Sequence, residues 1–215
     1  IVDCETTKKN GLVFDMAYRV IDKKRKLYAV GSFLFKDVLA IEEAWYKEKV
    51  SQYWLLVNKN KIKPVTFKVG RRIFNRQIAA LQAEGYKIIF CAYNAAFDIS
   101  HLGMTSMELT KDKFLDVKMP IFDLWHGWVV GCPVEFGYFS PFTVPAPGKK
   151  PAWNIKTSAE VVYKWLSGNE QFEEKHIAHS DVLIEEIILM DILKRKKKLH
   201  IVKTPKEFVA MPWKI

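Results

Sequence analysis

Apolar and polar positions along the 215-residue chain follow two periods, strand-like near the start and helix-like further on, which predicts a mixed α/β fold. Ile1-Val2 reads as the tail of a buried strand running through Asp3-Cys4-Glu5-Thr6. Residues two apart on a strand project from one face, so Asp3 and Glu5 point together and Cys4 points away. Leu12 to Ile21 and Leu27 to Phe35 are rich in β-branched and aromatic residues and flank the polar Asp22-Lys23-Lys24-Arg25-Lys26, as an antiparallel pair would. Asp37 is expected to cap a helix over Val38 to Leu56, supported by the spacing of Glu42-Glu43 and Lys47-Lys49. After a polar break, Arg71 to Glu84 forms a second helical pattern ended by Gly85, with Ile73, Phe74, Ile78 and Leu81 on its core face.

Lys87 to Tyr93 is a continuous apolar run of strand length, the pattern of a strand covered on both faces. It runs into Asn94-Ala95-Ala96-Phe97-Asp98, where Asp98 reads either as a helix N-cap or as an acid beyond the end of a central strand, where α/β proteins hold ligands. Another strand is expected at Met119 to Leu124. Trp125 to Trp153 is broken by glycines and prolines and reads as a long irregular excursion whose aromatics either pack or stack on bases. A helix over Ser158 to Leu166, a final apolar helix from Asp181 to about Lys197, and an irregular tail after Leu199 complete a single domain spanning residues 1–215.

Composition narrows the class. Hydrophobic residues at 49% and charged residues at 27% fit a globular chain. No apolar run approaches the ~18 residues of a membrane span, so no membrane partner is expected. Cys4, Cys91 and Cys132 form no CxxC pair, which argues for reduced packing residues, against a zinc site, and for a cytoplasmic, reducing setting. Lys+Arg outnumber Asp+Glu by 34 to 24, a net charge of +10, which favours a polyanionic partner, nucleic acid foremost.

The acids then stand out against this basic background. Asp3 and Glu5 share a strand face, Asp98 follows a central strand, and Asp181 opens a helix that is otherwise built for burial, with His176 and His179 just ahead of it. If the three segments converge they form an all-oxygen site, suited to Mg²⁺ or Mn²⁺ rather than zinc. Residues five apart on one helix lie about 140° apart around its axis, so His176 and Asp181 can share a site only if His176 sits on the entering turn. Ser180 is then the expected N-cap, and His179 remains a competing base.

Asp3-Cys4-Glu5-Thr6, Asn94-Ala95-Ala96-Phe97-Asp98 and His176-Ile177-Ala178-His179-Ser180-Asp181 resemble, in order and spacing, the DxET, NxxFD and HxAxxD motifs of the DnaQ-like 3′ to 5′ exonucleases. The resemblance implies an RNase H-like fold, a central mixed five-stranded sheet flanked by helices. It implies two Mg²⁺ or Mn²⁺ ions: Asp3 bridging both, Glu5 and Asp181 completing the first, Asp98 holding the second. His five residues before the last Asp, rather than Tyr four before it, matches the DEDDh branch and implies His176 as general base. A neutral imidazole suits that role near neutral pH. The family commonly has His where this chain has Tyr93, which makes Tyr93 a substrate-site candidate beside Thr6, Leu12, Asn94 and Phe97. The implied partner is single-stranded DNA or another nucleic-acid 3′ end, with a polymerase or other replication protein as a further one. The alternatives are RNA 3′-end trimming and a catalytically silent nucleic-acid-binding module.

Overall fold

The structure, a computed structural model, describes residues 1–40, 47–131, 143–145, 153–195 and 199–203. Strands β1 (Val2–Thr6), β2 (Val13–Ile21) and β3 (Leu27–Phe35) form an antiparallel meander, and the short β4 (Lys63–Val65) adds in parallel outside β3. The β2–β3 turn closes because Asp22 Oδ1 accepts the N–H groups of Lys24 and Lys26, at 2.7 and 3.0 Å, while Arg25 takes φ 64°. An Asp side chain bonding backbone two residues on is the usual chemistry of such a turn.

The sheet separates two apolar layers. On one side Phe14, Met16, Phe33, Phe35, Phe67 and Phe74 belong to a core built with α1 (Lys36–Leu39), α2 (Lys47–Asn58), α3 (Phe67–Ala83) and α4 (Ala95–Thr110). On the other, Ala17, Phe122, Trp128, Val162, Val182 and Ile188 pack with α5 (Leu124–Gly131), α6 (Ala159–Ser167) and α7 (Ala178–Arg195). Each fully buried large side chain contributes about 1.5–3 kcal/mol relative to exposure, so β2, covered on both faces, anchors the fold.

β5 (Phe90–Ala92) and β6 (Ile121–Asp123) pair in parallel as a separate two-stranded sheet beside β1. The continuous five-stranded sheet is therefore replaced by four strands plus two. On the side of β1 away from β2, the Cys4 N–H donates to the Asp98 carboxylate at 3.0 Å, so at that register a side chain takes the place of a strand. β5 is also shorter than the apolar run, because pairing begins where Phe90 N–H donates to Pro120 O and ends where Tyr93 N–H donates to Glu185 Oε1.

Other boundaries move for local reasons. Asp37 lies inside the first turn of α1 and caps a different helix, its carboxylate accepting the Phe67 N–H that opens α3. α1 stops at Leu39 and α2 starts at Lys47, and Glu42-Glu43 lie outside the described residues. α3 starts at Phe67, with Thr66 as N-cap. Within the Trp125 to Trp153 excursion, Leu124–Gly131 is helical, and Thr143–Pro145 pairs with Trp153–Ile155 as a β7–β8 hairpin. Residues 132–142 and 146–152, with Cys132 and several of the aromatics, lie outside the described residues. The tail is not wholly irregular: Val202 bridges to Ile121 on the edge of β6. Among the described residues no helix is long and apolar enough to cross a membrane.

Gly127 explains why α5 was hidden. A Cβ there would stand 2.5 Å from the buried Phe122 ring, so this glycine permits close packing rather than breaking a helix. Gly103, within α4, would meet nothing within 4 Å. Gly103→Ala should therefore raise stability by up to about 1 kcal/mol from helix propensity alone. Gly127→Ala should lower it by about 1–3 kcal/mol through overpacking. Urea melts of the two variants check this, and a shift of the same sign in both contradicts the packing role of Gly127.

Candidate functional site

Three buried carboxylates outside the motifs build the site. Asp15, fully buried on β2 opposite Glu5, accepts through Oδ2 both the Tyr53 hydroxyl of α2 and the Ala178 N–H that opens α7, each at 2.9 Å. Asp123, at the end of β6, accepts the Ala95 N–H at the start of α4 and the His126 N–H of α5, each at 3.0 Å. Asn94 makes the turn into α4 with φ 63°, a left-handed conformation that Asn tolerates better than most residues. Glu185, on α7, holds the same turn through the Tyr93 N–H at 3.2 Å.

These tethers bring the three motifs to one place. Strand alternation leaves Asp3 and Glu5 on the side opposite the buried Cys4, and the Cys4 N–H binds Asp98 Oδ1. Asp98 is thus not an N-cap; it lies in the first turn of α4, nearly fully buried. His176 stands on the entering turn, as the spacing requires, with φ 51°. α7 nevertheless begins at Ala178, so Ser180 is not its N-cap. Ile177 O accepts the Ser180 and Asp181 N–H groups, and Asp15 caps the end from another strand.

Glu5, His176 and Asp181 each present one potential ligand atom, all within 4.8 Å of one another. Asp3 and Asp98 join them electrostatically. Burial raises the Asp3 carboxyl well above its ordinary range, reinforced by Glu185, Asp98, Asp181 and Glu5. Burial pushes Asp98 up to about 7 against the hydrogen bonds from Cys4, and pushes Asp181 up to about 8 with help from Glu174, Glu5 and Asp15. Asp3 Oδ2, Asp181 Oδ1 and Glu185 Oε2 are buried without a hydrogen-bond partner among the described residues. Carboxylates crowded away from water either keep protons or take a cation. The donor set fits a hard divalent cation, since it is almost all oxygen.

His179 lies on α7, half-buried, and its imidazole is pushed down by burial and by the charges of Lys61 and Arg19. His176, by contrast, lies with Glu5 and Asp181 and has Nδ1 4.0 Å from Glu174 Oε2. Of the substrate candidates, Tyr93 and Asn94 line a cavity of about 330 Å³ with Asp3, Trp125, Glu174 and Glu185. Phe97 is exposed on α4, its ring 4.3 Å from that of His101, and Thr6 ends β1 at an irregularity in the β1–β2 register. Leu12 is buried in the core.

The sequence reading missed Glu185, Asp15 and Asp123. Glu185 carried a signal: it lies four residues after Asp181, on the same helical face. Comparison with protein-family models, curated proteins and solved structures finds no match to this chain.

The raised carboxyls set a pH dependence for the metal-free protein. Asp98 and Asp181 hold protons in the folded state up to about 7 and about 8 but lose them near 3.8 when unfolded. The unfolded chain thus binds fewer protons between those limits, and stability falls as pH rises through the window. In EDTA the melting temperature should fall from pH 5 to pH 8, and part of the loss should vanish in Asp181→Asn. A melting temperature that rises steadily across this range contradicts the arrangement.

Proposed function

We propose that this chain is a metal-dependent 3′ to 5′ exonuclease of the DnaQ-like DEDDh kind, acting on single-stranded or frayed DNA ends and releasing nucleoside monophosphates. The observation that carries the reading is convergence: Asp3 and Glu5 on β1, Asp98 on α4, and His176 and Asp181 at the mouth of α7 meet in one acidic site. In this reading β3-β2-β1 and the neighbouring β5-β6 are two parts of one RNase H-like sheet, interrupted where Cys4 N–H turns to Asp98. The net charge of +10 supports a polyanionic substrate.

Asp3, Glu5 and Asp181 would hold one cation, and Asp3 with Asp98 a second. Two bound Mg²⁺ or Mn²⁺ ions supply Lewis-acid polarisation of the scissile phosphate and neutralise charge at the leaving oxygen. The residues do the rest. The His176 ring nitrogen that faces Glu5 and Asp181 takes the proton of the attacking water, and the exposed turn lets the protonated ring discharge to solvent. Glu174, beside that ring, steadies the imidazolium as it forms. Tyr93 and Asn94, on the cavity wall, orient the end of the strand.

Oligonucleotides of DNA and RNA, labelled at either end, test the reading. Monophosphates should leave the 3′ end with Mg²⁺ or Mn²⁺ and not in EDTA, from DNA faster than from RNA. His176→Ala should lose about 10²–10⁴-fold in rate, the range for a general base, and His179→Ala less than about tenfold. Release that persists in EDTA or in Asp181→Ala contradicts the metal-dependent mechanism.

A further inference from the structure

α7 carries two adjacent glutamates in opposite circumstances. Glu186 is buried but bridged by Arg19 at 2.6 Å and Arg25 at 2.8 Å, which together hold its carboxyl below the usual range. Glu185 is 2% exposed and makes no ion pair among the described residues. Its Oε1 accepts the Tyr93 N–H, and its Oε2 is buried with no hydrogen-bond partner among them.

The side that Glu185 presents is the acidic one. It lies one helical turn beyond Asp181, on the same face. It lines the cavity of about 330 Å³ that Asp3 also lines. Asp3 likewise keeps one buried oxygen without a hydrogen-bond partner. Two desolvated carboxylates so placed cannot both be charged unless a cation lies with them.

We propose that Glu185 is a fifth carboxylate ligand of the cation pair, taking the cation that Asp3 and Asp98 hold. The assignment rests on the metal-dependent reading above. It gives that cation a direct protein oxygen from α7, so the helix that carries Asp181 touches both ions. It also ties the second cation to the Tyr93-Asn94 turn, because the same carboxylate holds the Tyr93 N–H.

Titration of Mn²⁺ into the metal-free full chain, followed by calorimetry and by the electron paramagnetic resonance signal of free Mn²⁺, tests the assignment without recourse to activity. Wild type should bind two Mn²⁺. Glu185→Gln keeps a carbonyl for the Tyr93 N–H and should stay folded in EDTA. It should keep one wild-type site and weaken the other about tenfold or more, at least the loss typical of disturbing a metal's supporting groups. Glu185→Asp, with the charge on a shorter arm, should bind the second Mn²⁺ more tightly than Glu185→Gln. Two wild-type affinities in Glu185→Gln, or equal binding by the two variants, overturns the assignment and leaves Glu185 as a tether of the Tyr93 turn. Wild type that binds no Mn²⁺ overturns the metal-dependent reading itself.

Discussion

Carboxylates gathered away from water repel one another, and the centre of this molecule is arranged around that repulsion. Asp3, Glu5, Asp98, Asp181 and Glu185 come from one strand and two helices, yet their fields overlap, and burial raises the carboxyls of Asp3, Asp98, Asp181 and Glu185. A fold does not hold such a group at no cost. Each unpartnered, desolvated oxygen weakens the metal-free protein, and the cost is offset when a proton or a cation joins the cluster. The proposed cations are therefore as much a matter of stability as of chemistry.

The cluster forms because other side chains hold its backbone in place. Asp15 links the start of α7 to β2 and α2, Asp123 links the start of α4 to β6 and α5, and Asp98 itself fastens α4 to β1. Each of these carboxylates accepts an N–H group at a helix start or a strand edge, and Asp15 also accepts the Tyr53 hydroxyl, so the charge that defines the site also assembles it. The same bonds split the expected sheet in two: Cys4 N–H meets Asp98, and β5 stops where Tyr93 N–H meets Glu185.

The parts of this arrangement that were legible in the sequence are those set by local pattern. β3 falls on its predicted residues, and β2 within one, because a polar turn closed by Asp22 separates two dense apolar runs. The placement of His176 outside the helix follows from helical geometry once His176 and Asp181 are taken to share a site, and the motif spacing named Asp3, Glu5, Asp98 and Asp181. What was not legible depends on partners far along the chain. Asp15 is one acid inside an apolar strand, and its reason is an N–H 163 positions away. Ser180 has the chemistry of an N-cap, but Asp15 already caps that end, and Asp37 caps a helix other than its own. Glu185 and Glu186 look like a solvated pair until burial and Arg19 tell them apart. Gly127 has the composition of a breaker, and only the Phe122 ring against it shows that it is there for contact.

The central claim is that the acids at the junction of β1, α4 and α7 are a divalent-cation centre. The most direct measurement is the anomalous scattering of Mn²⁺ in crystals of the protein grown or soaked with that ion. The account predicts two peaks, one within about 2.3 Å of oxygens from Asp3, Glu5 and Asp181, the other beside Asp3, close to the range for hard cations on oxygen ligands. Crystals at neutral pH with ordered acids and no peak at these residues would contradict it.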